Sequence, residues 1–432
     1  MKTKLTKKFW VALTVFSLMG QVAWVVENMY LNVFIYKMFA ASASDISLMV
    51  SASAIAATVT TVLMGALSDR VGKRKLFICG GYVLWGISIL CFTLVRADII
   101  SGVISATVSA ASVGVSLTII LDCLMTFFGS TANDAAFNAW LTDSTDEGNR
   151  GKAEGVNSMM PLVAILAVFG GFMFFDLDKS QSWTYIFIII GSVVMAVGVL
   201  GFFIIKDPER IRPSEEGYIK TVTYGFLPST VKANPSLYLH LLLFILFNTS
   251  IQIFMPYLIL YYEVSLGMTD YVFIMAPAIV LASAVTAFWG RVYDKKGFFF
   301  SGMAALLWLG VGYILLFIFK NTALVFIGSL FMMSGYLSGM AVFGAKIREL
   351  TPEGRSGMLQ GVRIFSQVLI PGVIGPFIGK TVLANAEKVV NNDGTESFIP
   401  HAGIFLAALV VILPLIAVVL VPKITKSKKS VM

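Results

Sequence analysis

Gly65-Ala-Leu67-Ser-Asp69-Arg70-Val-Gly72-Lys73-Arg74-Lys75 lies between two long apolar stretches, and a weaker copy, Gly290-Arg-Val-Tyr-Asp294-Lys295-Lys-Gly297, follows 225 positions later. A tight turn bounded by glycines, holding an acid and a basic cluster and used twice between apolar segments, predicts a chain made of two copies of one membrane-embedded unit. Working outward, Tyr36 pairs with Tyr261, Asp45 with Asp270 and Gly72 with Gly297 at the same offset. A second gapless alignment pairs Leu141-Thr-Asp143-Ser-Thr145-Asp-Glu147-Gly148 with Ile347-Arg-Glu349-Leu-Thr351-Pro-Glu353-Gly354 at an offset of 206. The two offsets leave 19 extra residues between the third and fourth spans of the first half. Asp98–Ser116, rich in Ser, Ala, Val and Gly, is the natural place for them, either along the outer interface or lengthening the fourth helix.

The 432 residues are 57 % hydrophobic and 13 % charged, against about 25 % charged in an ordinary soluble domain. Such a chain lacks the polar surface to cover a soluble globule. Apolar runs fall near 9–38, 46–67, 75–95, 117–142, 155–175, 183–205, 236–262, 269–290, 299–319, 322–345, 358–382 and 402–421, at the lengths that cross about 30 Å of hydrocarbon. The expected fold is an all-α membrane protein, with twelve transmembrane helices in two pseudo-symmetric six-helix halves. Residues 1–205 and 236–432 form the halves, and 206–235 form a polar linker. The first span carries Glu27 and is about twice as long as a signal-peptide core, so it reads as a span and not a leader. Cys79, Cys91 and Cys123 all fall inside apolar runs and read as small apolar residues.

The net charge of +8 is unevenly placed. Lys37, Arg96, Lys179, Lys320, Lys380 and Lys388 fall in outer loops, and the other 26 of 32 basic residues fall on the opposite side. The positive-inside rule then puts both termini and the linker in the cytoplasm, for a multi-pass protein of a cell inner membrane or plasma membrane. The basic balance is a topology signal and no nucleic-acid patch. The expected partners are the lipid bilayer and a small-molecule solute, for a chain acting as a monomer.

Parallel six-span repeats are a transporter pattern, and the whole chain resembles the major facilitator superfamily. The repeated Gly65–Lys75 motif looks like that family's signature loop between its second and third helices. The resemblance implies that Asp69 sits at the N-terminus of span eleven, where the helix dipole and free N–H groups favour a carboxylate. There it would hold the inner gate closed, with Asp294 playing the matching part beside span five. Gly65, Arg70, Gly72 and Gly297 belong to the same gating turns. Arg150 stands in for an arginine that related proteins supply after span four, where this chain has Asp143. More locally, Asp134-Ala-Ala-Phe137-Asn-Ala-Trp140 and Met29-Tyr30-Leu31 resemble the glycoside–pentoside–hexuronide:cation symporters. At those symporters' functional positions, Ala136 replaces a proline, Ala57 and Thr61 replace sodium-binding acids, and Gln21 replaces a sugar-binding acid. A proton is therefore expected as the coupling ion in preference to sodium.

Three acids fall inside spans: Glu27, Asp122 and Asp134. An ionised carboxylate in hydrocarbon costs at least several kcal/mol, so each must face a cavity, pair, or carry a proton. At about 100° per residue, Gln21, Trp24, Glu27, Asn28 and Asn32 share an arc of roughly 140° on span one. That arc is either a substrate-lining face with an aromatic platform or a polar seam between helices. On span four, Asp122, Thr126, Gly129 and Asn133 share one face, and Ser130, Asp134 and Asn138 share another. Asp122 and Asp134 lie about 18 Å apart along the axis and cannot share a proton on a straight helix. Asp134 either binds and couples, or caps a neighbouring helix. In the second half, Asn248, Thr249 and Gln252 on span seven and Gln367 on span eleven are the polar candidates, with Gln252 aligned to Glu27.

No nucleotide loop, metal-ligand cluster or nucleophile arrangement stands in the sequence, which argues against ATP-driven transport on this chain, enzyme chemistry, a metal site and a cofactor. The expected function is secondary-active, alternating-access transport of a small organic solute, with a sugar or glycoside leading. Coupling is expected to run through protons at Glu27, with Asp134 and Asp122 as the next candidates. The rivals are a proton-driven exporter of amphipathic compounds, drawing on 34 Phe and 20 Met, and a non-transporting membrane sensor.

Overall fold

The computed structural model describes residues 5–105, 109–146, 149–207, 223–352, 356–391 and 394–419. Apolar segments with no water to satisfy their backbone close their hydrogen bonds internally, so they are helices. The first six are α1 (Lys7–Phe39), α2 (Ala43–Val71), α3 (Arg74–Leu94), α4 (Ala110–Asp143), α5 (Arg150–Phe172) and α6 (Ser180–Ile204). The second set opens with α7 (Pro235–Ser265). It continues through Val272–Ile318, a 47-residue stretch with one non-helical residue, Gly297, at φ 74° and ψ −178°. That residue divides the stretch into α8 (272–296) and α9 (298–318). Then come α10 (Thr322–Leu350), α11 (Gly361–Asn385) and α12 (Gly403–Val419). The described residues thus form twelve apolar helices in two sets of six.

The chain divides into two compact units, Met1–Thr223 with Val390–Ser397, and Tyr224–Val389 with Phe398–Met432. Of the expected linker at 206–235, positions 208–222 lie outside the described residues. So do Glu147, Gly148, Glu353 and Gly354 of the second alignment.

Local chemistry sets the helix ends. Ser42 and Asp45 form a capping box that starts α2: Asp45 N–H donates to Ser42 Oγ at 3.2 Å, and Ser42 N–H donates to Asp45 Oδ2 at 2.8 Å. Gly72 ends the same helix at φ 69°, in the left-handed region that favours glycine. Its repeat partner is Gly297, which also has positive φ but an extended ψ of −178° where Gly72 has 15°, so the alignment paired two glycine turns of different conformation. The extra segment of the first half does two things: Ala97–Ser101 forms a short helix, and α4 begins at Ala110, earlier than the sequence boundary near 117.

In both units the first helix packs on the fifth, α1 on α5 and α7 on α11. Both first helices also break, at repeat positions that adjoin. In α1 a π turn, Val26–Tyr30, widens the helix; in α7 a 3₁₀ turn, Met255–Tyr257 with Pro256, tightens it. The repeat offset places Tyr30 on Met255.

Candidate functional site: a buried carboxylate centre in the first unit

The π turn of α1 carries Glu27, which is 6 % exposed. Its Oε1 accepts hydrogen bonds from Ser53 Oγ of α2 at 2.8 Å and from Thr126 Oγ1 of α4 at 2.9 Å. The two hydroxyls lie 2.8 Å from each other. Thr126 also reaches the carbonyl of Asp122 one turn back, at 2.8 Å. Asp122 is 2 % exposed and stands beside the same Ser53 hydroxyl. It is close enough to Glu27 for like charges to repel, and Asp134 adds to that repulsion. Glu27 Oε2 and Asp122 Oδ1 are buried without a hydrogen-bond partner among the described residues. Three helices therefore converge on two acids, and no basic side chain among the described residues acts on Glu27.

Packing fixes the register at which these helices meet. A Cβ on Gly20 would lie 2.2 Å from Asn133 Nδ2, and one on Gly129 would lie 2.7 Å from Trp85 Cε2. The missing side chains let α3 and α4 close on α1. In the space they leave, Asn133 donates to Tyr82 Oη at 2.7 Å, and Tyr82 donates to the Phe16 carbonyl at 2.6 Å. Trp24 and Trp85 meet with ring centroids 5.0 Å apart, and the Trp85 indole N–H is buried without a partner.

The polar arc expected on α1 is not uniform. Glu27 and Asn32 are buried, Gln21 and Trp24 are half-buried, and Asn28 is exposed. The amide donors are spent on the helix itself: Asn28 Nδ2 donates to the Trp24 carbonyl at 2.8 Å, and Asn32 Nδ2 to the Asn28 carbonyl at 3.0 Å. Asp134 and Asn133 lie in a second π turn, Ser130–Phe137 of α4. Asp134 accepts from Ser130 Oγ at 3.0 Å, and Asn138 donates back to the Asp134 carbonyl at 3.1 Å.

At the other end of the same helices, Arg74 is the hub of the charged turn. Its side chain, 6 % exposed, ion-pairs with Asp69 and reaches Asp143 Oδ2 at 3.1 Å. It also donates to Ser68 Oγ at 2.6 Å. Arg150 donates to the carbonyls of Thr142 and Thr145, each at 3.3 Å, and so covers the C-terminal carbonyls of α4. Gly65 sits against Ala135 of α4, and Arg70 is exposed.

A sequence profile of the Major Facilitator Superfamily matches residues 10–376. The chain belongs to the major facilitator superfamily. Solved structures share its fold along nearly its whole length. The nucleoside transporter NupG has a TM-score of 0.69 at 11 % identity, covering 97 % of this chain and 99 % of its own. A bacterial homologue of the human lysosomal transporter Spinster, inward-facing and unoccupied, has a TM-score of 0.71 at 14 % identity, covering 98 % and 100 %. The xylose transporter XylE from E. coli, partially occluded and inward open, has a TM-score of 0.68 at 14 % identity, covering 95 % and 99 %. No curated protein sequence matches the chain. As a member of the superfamily, it is a multi-pass membrane transport protein.

The second unit of this superfamily member carries a different set. Asn248 donates to the Phe244 carbonyl at 2.8 Å, and Gln252 packs where Gly375 of α11 leaves room. Gln367 is half-buried in a π turn of α11, Phe365–Leu369. In place of the arginine hub, Glu349, the repeat partner of Asp143, accepts from Tyr293 Oη at 2.8 Å and from Lys346 Nζ at 3.0 Å. Asp294 is exposed beside Tyr293.

Sequence reasoning did not single out Ser53, Tyr82, Trp85 or Arg74. The signal for Arg74 was present in the Lys73-Arg74-Lys75 run, where it was absorbed into the topology charge. The signal for Ser53 was absent, since a serine in a run of Ser and Ala has nothing to distinguish it.

Proposed function

We propose that this protein is a secondary-active carrier of a small polar organic solute, working by alternating access and coupled to protons at Glu27. The observation that carries the reading is the setting of that residue: buried in α1, hydrogen-bonded at one carboxylate oxygen, and, among the described residues, unpartnered at the other and without a basic neighbour. An ionised carboxylate so placed is costly, and a proton removes the cost. A proton taken from one face of the membrane and released to the other links solute movement to the proton gradient. Asp122 and Asp134 are the further coupling residues.

A sugar or glycoside is the solute class in this reading. Gln21, Trp24, Asn28, Asn133 and Asn138 supply aromatic and amide groups in the first unit, and Asn248, Gln252 and Gln367 supply amides in the second. Two of the similar structures are named for nucleoside and xylose transport, which agrees with a polar solute. The turns of Gly65, Asp69, Arg70 and Gly72 with Arg150, and of Asp294 and Gly297, act as gates. Both termini face the cytoplasm.

The test is uptake of a labelled sugar panel into vesicles, with and without an inward proton gradient. Accumulation of at least one sugar that collapses with the gradient is expected. Gradient-insensitive equilibration, or export of amphipathic dyes with no sugar flux, overturns the reading.

A further inference from the structure

Arg363 stands in the first turn of α11, and its side chain crosses to α10: Nη2 lies 3.9 Å from the point where Gly344 would carry a Cβ. Arg348 of α10 donates from Nε to the carbonyl of the same Gly344 at 3.4 Å. Two guanidinium groups from two helices thus meet at one glycine, close enough for like charges to repel. Among the described residues no acid acts on Arg363 and no hydrogen bond holds it. Glu349, the acid next to Arg348, is spent on Tyr293 and Lys346.

A cation in an apolar span is costly unless it pairs or reaches water. An arginine that only sought water would extend its head away from its neighbours. Arg363 is half-buried and turns toward another cation. The repeat weighs against a bracing role. At the offset of 206, Arg363 aligns with Asn157 and Gly344 with Asn138. Asn157 does brace the first unit: Ser17 Oγ of α1 donates to its Oδ1 at 2.5 Å. Ser17 aligns with Leu242 at the offset of 225, so α7 has no polar side chain there for Arg363. Asn138, an amide of the proposed solute site, aligns with the glycine that gives Arg363 its room. Gln367, another such amide, follows Arg363 by one turn of α11.

Paired guanidinium groups call for an oxyanion, because each presents a planar fork of N–H donors that matches carboxylate or phosphate oxygens. A carboxylate has two oxygens in one plane and a single charge, which one fork satisfies. A phosphate monoester has three free oxygens and nearly two negative charges at neutral pH. It can accept from both forks and offset both cations.

We propose that Arg363 and Arg348 bind a phosphate group carried by the solute, so that the transported sugar is a phosphate monoester. The proposal rests on the reading of this protein as a sugar carrier, and it names the charged group of that sugar.

The thermal unfolding midpoint of the purified full-length protein in detergent is titrated with a panel of hexose and pentose phosphates. Their parent sugars, glucuronate, inorganic phosphate and phosphatidylglycerol are run beside them at constant ionic strength. A saturable rise is expected with at least one sugar phosphate, with apparent affinity roughly tenfold or more above its parent sugar. Inorganic phosphate should bind more weakly at the same place. Affinity should fall between about pH 7.5 and 5.5, as the second proton returns to the phosphate. Arg363→Gln should weaken binding roughly tenfold or more, and Arg363→Lys, which keeps the charge and loses the fork, should fall between. Arg348 is exposed, so Arg348→Gln keeps the fold and carries the test if Arg363→Gln cannot be purified.

No saturable effect of any phosphate compound, or an effect unchanged in the arginine variants, overturns the site. A response to phosphatidylglycerol without one to sugar phosphates makes it a lipid headgroup site and overturns the assignment to the solute. If vesicles accumulate a neutral sugar and no sugar phosphate binds, the carrier reading stands and the phosphate site has failed. If sugar phosphates bind through Arg363 but neither they nor any sugar cross the vesicle membrane, the phosphate site stands and the carrier reading has failed.

Discussion

Thr126 of α4 donates a 2.9 Å hydrogen bond to Glu27 of α1, 99 residues earlier in the chain. The bond ties the widened turn of one helix to the polar face of another. It makes the charge state of Glu27 a property of the whole helix cluster. An acid accepting from two hydroxyls, with its second oxygen buried and unpartnered, changes its surroundings whenever it gains or loses a proton.

Glu27→Gln fixes the protonated charge state. The variant should keep solute binding and solute exchange while losing accumulation driven by a pH gradient. The repeat supports tolerance, since Gln252 stands at the equivalent position of α7. Counterflow and gradient-driven uptake in the same vesicles check it. If the variant still concentrates solute, coupling passes to Asp134.

Gly129→Ala and Gly20→Ala should each lower stability by about 1–3 kcal/mol, because an added methyl meets the Trp85 ring or the Asn133 amide. Gly80→Ala, with nothing within 4 Å of the new Cβ, should be neutral or mildly stabilising. Thermal unfolding in detergent ranks the three. Equal midpoints would show that α3 and α4 do not depend on these gaps.

Arg74→Gln removes the cation shared by Asp69 and Asp143. Both acids are partly exposed, so the expected loss is about 1–3 kcal/mol, below the upper range for fully buried pairs. Asp69→Asn and Asp294→Asn should leave expression largely intact and slow transport. Cysteines introduced on the membrane face that carries these turns should label faster in both. Wild-type flux with unchanged labelling in the two variants would remove the gating role.

Gly72→Ala forces a side chain into the left-handed helical region, at about 1–2 kcal/mol, and Gly297→Ala forces one into the extended positive-φ region, at about 1–3 kcal/mol. Around Gly297 a new Cβ meets nothing within 4 Å, so its cost is backbone strain alone. Denaturation midpoints should fall in both.

Much of the fold could be read from the chain because its causes are periodic or repeated. Hydrocarbon thickness sets span length, and the offset of 225 aligned Gly72 with Gly297, two glycines that both take a positive φ. The site was half legible. Glu27 and Asp122 stood out because a charge inside an apolar run is costly. Their meeting did not, because Asp122 was read only against Asp134 on its own helix. Which faces of α1, α2 and α4 touch depends on close approach at Gly20 and Gly129 and on the π turns of α1 and α4. A regular 100° wheel carries neither, and for that reason the predicted arc on α1 splits into buried and exposed residues.

Gly297 also decides parity. Without its φ of 74°, Val272–Ile318 would be one continuous rod of 47 residues, about 70 Å long at 1.5 Å per residue and more than twice the depth of the hydrocarbon. Such a rod crosses once where the folded chain crosses twice. An even number of crossings would become odd, and α10, α11 and α12 would each cross the bilayer in the opposite direction. The sense in which the last three helices cross is set by the turn at this one residue.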